Sequence, residues 1–166
     1  MTGFSRYARF LLVPALLGAA PAFASGSASG QFNVTATVLS ACSVTAADLL
    51  FGNYSASAAT PDDVSSALSI TCTSGLPYTV ALDGGTTAAN VAARTMTDGA
   101  SHSLKYFLYT NTGRTTLWGD ATAGTATVAG TGSGSAQGLT VYGRVNAGQY
   151  VVGGSCSDKV TVTINY

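Results

Sequence analysis

Apolar and polar residues alternate with a period of two in several short runs, and the two clearest stand at opposite ends of the chain. In GQFNVTATVLSAC (30–42), Phe32, Val34, Ala36 and Val38 alternate with Asn33, Thr35 and Thr37. In DKVTVTINY (158–166), Val160, Val162, Ile164 and Tyr166 alternate with Lys159, Thr161, Thr163 and Asn165. This period places one set of side chains on each face of a strand. Between them lie DLLFGNY (48–54), ALSITCT (67–73), PYTVALD (77–83), SLKYFLYT (103–110), TTLWGD (115–120) and GLTVYGRV (138–145). Turn signals divide these runs: Pro61-Asp62-Asp63, Asp83-Gly84-Gly85, Asn111-Thr112-Gly113 and Gly153-Gly154. The stretch 120–138 is low in complexity and reads as a loop with at most one thin strand. No helical pattern is longer than the Ala-rich TTAANVAA (86–93). Short strands with turns between them predict an all-β sandwich in one domain.

The two end strands pose different questions. The first follows SGSASG (25–30), a small, polar, flexible stretch. It is either an ordinary first strand of its own domain or a strand meant for another molecule, and alternation alone leaves both open. The last ends the chain on an aromatic, where termini usually fray.

Composition narrows the setting. Arg6 and Arg9 precede the apolar run FLLVPALLGAA (10–20), and Ala22-Phe23-Ala24 follows. A basic n-region, a short apolar stretch and a small-x-small site predict a cleaved secretory signal peptide over 1–24, with Ser25 as the first mature residue. The run is too short and too Pro-interrupted to anchor, and no later run is long enough, so no membrane span is expected in the mature chain. No Cys follows the cleavage site, which argues against lipid anchoring. After Ser25 the cations are Arg94, Lys105, Arg114, Arg144 and Lys159, against seven aspartates and no glutamate. Without a basic patch, nucleic acid is not an expected partner.

Candidate chemistry is thin. Cys42, Cys72 and Cys156 in an oxidising compartment predict a disulfide, but the sequence by itself allows three pairings with one thiol left over. A zinc site from these cysteines and His102 lacks any C-x-x-C or H-x-x-x-H spacing. His102, the only histidine, could act as a base for Ser101 or Ser103, yet no G-x-S-x-G surrounds a serine. Asp62-Asp63 follow a proline and read as turn residues, and a chain without Glu offers few acids for glycoside hydrolysis. GTGSG (130–134) does not open a helix, so it is no phosphate loop. The expectation is a protein with no catalytic residues, no metal and no cofactor. Trp118, Tyr106, Phe51 and Leu108 are expected in the core rather than on a sugar-binding platform.

Nine landmarks in order carry a family resemblance: FNVTATVLSACSV (32–44), LLFGNY (49–54), LSITCT (68–73), YTVALDGG (78–85), RTM (94–96), LKYFLY (104–109), LWGD (117–120), VYGRVNAGQY (141–150) and GGSCSDKVTVTINY (153–166). Together they resemble the spore coat protein U domain family, which includes the pilins of archaic (Csu-type) chaperone–usher pili. The family usually has an aromatic where this chain has Cys156.

The resemblance implies an incomplete immunoglobulin-like β-sandwich with an N-terminal donor strand, divided into a 25–40 extension and a 41–166 domain. It implies a structural subunit of a secreted surface pilus or coat, supporting adhesion or biofilm formation. Expected partners are identical or related pilin subunits, a periplasmic chaperone and an outer-membrane usher, met on the way through the periplasm to the cell surface. Strand donation of this kind is a known mode of β-strand addition. Phe32, Val34, Ala36 and Val38 would fill pockets of the neighbour, which at about 1.5–3 kcal/mol per large group contributes roughly 5–9 kcal/mol. The Ser/Gly stretch would supply reach between subunits. Cys42 and Cys72 would form the disulfide, leaving Cys156 free or available to another chain. Val160, Val162, Ile164 and Tyr166 would form the strand bordering the groove, where the chaperone docks. A single-domain carbohydrate- or surface-binding adhesin module is the alternative, although tip subunits carry an additional receptor-binding domain. An outer-membrane β-barrel would need longer strands and aromatic girdles.

Overall fold

The computed structural model describes residues 24–100 and 102–166. The expected signal peptide therefore lies, except for Ala24, outside the described residues. Eight strands form: β1 (Cys42–Ala46), β2 (Asp62–Cys72), β3 (Pro77–Leu82), β4 (Arg94–Thr97), β5 (Ser103–Tyr109), β6 (Val128–Thr131), β7 (Gln137–Val145) and β8 (Val162–Asn165). Among the described residues there is no helix, and 86–93 forms turns. The strands make a five-stranded sheet, β1-β2-β7-β5-β4, and a three-stranded sheet, β6-β3-β8. Every strand pair is antiparallel. This is the expected all-β sandwich.

Alternation decides which side chains meet between the sheets. Leu68 and Ile70 of β2, Tyr78, Val80 and Leu82 of β3, Leu104, Tyr106 and Leu108 of β5, and Val141 and Val145 of β7 are all buried. Each large apolar side chain so buried contributes about 1.5–3 kcal/mol. Trp118 is 1% exposed and donates its indole N–H to the Val80 carbonyl at 3.0 Å. That bond lets a polar aromatic sit at the centre of the core. Tyr106 and Leu108 are likewise buried, and Phe51 packs against them partly buried, its ring edge-on to Tyr106 at 6.3 Å.

Cys42 and Cys72 stand directly opposite each other in the β1–β2 register and are joined as a disulfide. The pair ties the edge strand β1 to its neighbour β2, and it removes both thiols from any zinc site. Cys156 is a free thiol of intermediate exposure.

The strand pattern departs from expectation in instructive places. The runs 32–38 and 48–54 form no strand, and 115–120 makes only isolated bridges at Leu117 and Trp118. The first two lack a neighbouring strand to complete a ladder, and alternation without a partner is not a strand. Asp62 and Asp63 belong to β2 rather than a turn, because β7 pairs with them and Arg144 clamps Asp63 through two 2.7 Å hydrogen bonds. The short strands β1 and β4 were not separable from the sequence: CSVTA and RTMT carry too few alternating apolar positions. The low-complexity stretch does hold one thin strand, β6, paired to β3.

Candidate functional site: an open groove between the sheets

Among the described residues, no strand closes one side of the sandwich. A groove of about 1110 Å³ runs there. Its floor is made by Leu68, Leu82, Leu104, Tyr106, Leu108 and Val141, and its two banks by 46–54 and 149–162.

The first bank leaves β1 and lies over the core face of the larger sheet. Leu49 and Phe51 point down while Leu50 is 76% exposed. They come close because Gly143 has no side chain: a Cβ there would stand 2.8 Å from Leu49 and 3.0 Å from Phe51. Among the described residues, the main chain of 48–53 makes no backbone hydrogen bond. Tyr54 ends the bank, donating its hydroxyl to the Asn146 carbonyl at 3.0 Å and accepting from the Gln149 N–H at 2.9 Å.

The second bank is the C-terminal run. Val160, Val162 and Ile164 pack against the core, with Lys159, Thr161, Thr163 and Asn165 exposed, as the alternation predicts. Among the described residues, β8 has a strand neighbour, β3, on one edge only. Asp83 donates its N–H to the Thr161 carbonyl at 3.1 Å, so residues 161, 163 and 165 direct their main chain toward β3. In an antiparallel ladder the intervening residues face the other way. The N–H and C=O groups of Val160, Val162 and Ile164 therefore lie along the open edge. Val160 and Val162 line the groove, Ile164 lies beyond its lining, and Tyr166 follows the strand at 60% exposure.

Two polar ties cross between the sheets at one end of the groove, and neither was legible in the sequence. Arg94 on β4 is 1% exposed. Its guanidinium donates to the carbonyls of Asp83 (2.8 Å), Val91 (3.0 Å), Leu82 (3.2 Å) and Trp118 (3.0 Å). Burial chiefly lowers its pKa, opposed by the nearby Tyr106, Asp83, Asp158 and Asp120. Asp158 sits where the chain passes from the β4 edge, which Ser157 bridges at Thr97, to the smaller sheet. One carboxylate oxygen accepts from the N–H and hydroxyl of Thr86 and of Thr87 at 3.0–3.1 Å. The other accepts from the Tyr106 hydroxyl at 2.7 Å. Burial pulls the Asp158 pKa up, but hydrogen bonds from Tyr106, Thr86 and the Lys159 and Thr87 backbone outweigh it and hold the pKa below 3.8. Burial and the adjacent carboxylate push the Tyr106 phenol far up, so it remains a donor. Gly85, at φ +77°, is required here: a Cβ would overlap the Asp158 carboxylate. A mid-strand tyrosine and a glycine pair beside an aspartate were the only hints.

The N-terminal extension carries the other predicted residues. Residues 24–40 form no strand, and Phe32, Val34 and Val38 are 87%, 84% and 82% exposed. Ala36 is exposed as well. His102 lies at the β4–β5 turn, its Nδ1 2.6 Å from Asp98.

The Spore Coat Protein U domain matches residues 28–163, so the match takes in the extension, both banks and the disulfide. The chain belongs to the Spore Coat Protein U domain family. A chain of the CsuC–CsuE chaperone–tip adhesion subunit pre-assembly complex, from the archaic chaperone–usher Csu pili of Acinetobacter baumannii, is similar in structure. It is 24% identical, with a TM-score of 0.57 over 78% of this chain and 40% of that one. This member of the family thus spans less than half the length of that chain, and the likeness is one of fold. No curated protein matches.

Proposed function

We propose that the chain is a structural, non-enzymatic subunit of a secreted surface pilus or coat, built by inserting the N-terminal extension of one subunit into the groove of the next. The observation that carries this reading is the open edge of β8. Val160 and Val162 face a groove floored by core residues, and among the described residues the main chain beside them has no strand neighbour on that side. An uncovered edge of this kind is an aggregation hazard unless another strand covers it. The same chain carries a strand-patterned, exposed segment with no place in its own sheets.

In this reading 25–40 is the extension and 41–166 the receiving domain. Phe32, Val34, Ala36 and Val38 enter the groove, and the C-terminal run with Val160, Val162, Ile164 and Tyr166 supplies the strand that borders it. A periplasmic chaperone covers the groove before assembly, and an outer-membrane usher releases the fibre to the surface. The Ser/Gly stretch 25–30 does not set the reach between subunits, because it lies on the free-end side of the donated residues. Only Leu39, Ser40 and Ala41 separate Val38 from β1. The four Cα–Cα steps from Val38 to Cys42 span at most about 14 Å, so neighbouring domains must sit close together.

The test is assembly. Co-expressed with its chaperone, the wild-type chain should give a ladder of polymers on gels run without boiling. Deleting residues 31–39 should leave a folded, chaperone-bound monomer and no ladder. A normal ladder from the deletion variant rules out strand donation.

A further inference from the structure

We infer that Asp158 is a positioning residue that holds the groove open, a strut from one sheet to the other through its two carboxylate oxygens. The inference rests on the groove being the acceptor site, and it adds what keeps that site shaped before anything enters.

A sandwich with one strand missing faces a physical difficulty. Apolar side chains on its two inner faces gain by coming together, and closing the gap would destroy the space an incoming strand needs. The floor and the banks are largely apolar, so they supply no resistance of their own. Resistance must come from groups whose geometry fixes the spacing.

Asp158 has that geometry. It lies on the groove wall, at the point where the chain leaves the β4 edge of the larger sheet and turns into the smaller one. One oxygen is held by Thr86 and Thr87, on the loop that follows β3 of the smaller sheet. The other is held at 2.7 Å by Tyr106, on β5 of the larger sheet. Two opposite sides of one planar carboxylate are thus tied to two different sheets. Hydrogen bonds at these distances are directional. Gly85 keeps the space beside the carboxylate clear. Tyr106 is also a floor residue, so the strut sets the position of the surface an inserted strand would touch.

A strut acts on the fraction of molecules whose groove is already open. Losing it lowers that fraction, which slows association and leaves dissociation of a seated strand almost unchanged. A group that touched the inserted strand would instead change dissociation. The experiment measures association and dissociation of a fluorescent peptide of residues 30–41 with the mature chain, diluted until monomeric. Tyr106→Phe keeps the ring and removes only the cross-sheet bond. Association should fall about 5-fold, with dissociation within twofold of wild type. Asp158→Ala should be slower still. Asp158→Asn keeps an acceptor for the threonines and a donor for the Tyr106 oxygen, and should restore most of the wild-type rate.

Wild-type association in both Tyr106→Phe and Asp158→Ala, with a peptide carrying Val34→Asp failing to bind the wild-type chain, overturns the strut and leaves the groove reading standing. Faster dissociation at unchanged association also overturns it, since it would mean direct contact with the peptide. So does an Asp158→Asn variant as slow as Asp158→Ala, because charge rather than geometry would then matter. No peptide uptake by the wild-type chain overturns the groove reading itself, and the strut with it.

Discussion

The chain begins and ends with the same alternating pattern, yet the two ends have opposite fates. Residues 162–165 run in register with β3, and Val160, Val162 and Ile164 pack partly buried against the core. Among the described residues, 32–38 form no strand, and their large apolar side chains are exposed. Alternation therefore specifies competence to be a strand, and the available sheet edge specifies whether one forms. The C-terminal run has β3 beside it, with polar anchors at Asp83 and Asp158. The N-terminal run has neither, and 25–41 contains no charged residue to anchor it.

The sharpest way to break this contrast is to place a charge at matching inward positions of each end. Val162→Asp should unfold the domain, because an unpaired carboxylate in the core costs several kcal/mol. Val34→Asp should leave the melting temperature of the unassembled domain unchanged and abolish the polymer ladder. Thermal melts and gel ladders on both variants check this. A Val34→Asp domain that melts well below wild type would show that the N-terminal run belongs to its own fold after all.

The next largest effect lies at the junction of the two regions, where Cys42 and Cys72 fasten β1 with a sequence separation of 30. Closing a loop of that length contributes roughly 3–4 kcal/mol in the chain-entropy account. Cys42→Ser should therefore lower stability by about that much and make the 42–61 region readily cleaved by protease. Peptide mapping of unreduced wild-type protein should return Cys156 as a free thiol, and a Cys156 cross-link to either partner would contradict the pairing.

What the sequence made legible follows the same division. The runs around Leu68, Val80, Leu108 and Val141 could be read because each is long, alternating and paired on both sides. Their burial, and that of Trp118, followed from the pattern. The groove could not be read from periodicity, since it is defined by an absent strand. Its banks misled in one case: 48–54 alternates like a strand but has no ladder partner. Arg94 and Asp158 were invisible for a different reason. A single arginine or aspartate carries no periodic signal, and its role depends on carbonyls and hydroxyls brought together from distant positions.

A smaller effect separates the two ends by pH. Asp158 and Asp83 both have folded pKa values below 3.8, each because hydrogen bonds outweigh the upward pull of burial. A depressed carboxyl contributes stability that is present above its unfolded pKa and lost as pH falls through the folded one. The urea midpoint should hold steady from pH 7 to about 5 and then decline through pH 3, more gently in Asp158→Asn. The extension, with no carboxylate, should contribute nothing to that slope. Deleting residues 31–39 should leave the acid profile superimposable on wild type.

The smallest effect comes from the outward faces, and it fixes the register of both strands. Thr163 stands one residue from Val162, which packs against the core, and Thr35 one residue from Val34, which the proposed donation would seat in the groove; both threonines are exposed. The period of two turns their side chains away from the groove and from the core. Thr163→Asp places a solvated charge on the outer face of β8, where exposed substitutions change stability by about 0.5 kcal/mol. It should leave folding and assembly nearly intact. Thr35→Asp should leave the melting temperature unchanged and reduce the ladder slightly at most, because its carboxylate stays in water when the strand is seated. The readout is ladder yield for Thr35→Asp beside Val34→Asp in the same expression background. If Thr35→Asp fails while Val34→Asp assembles, the donated strand is one residue out of register, and Asn33, Thr35 and Thr37 are the residues that enter the groove.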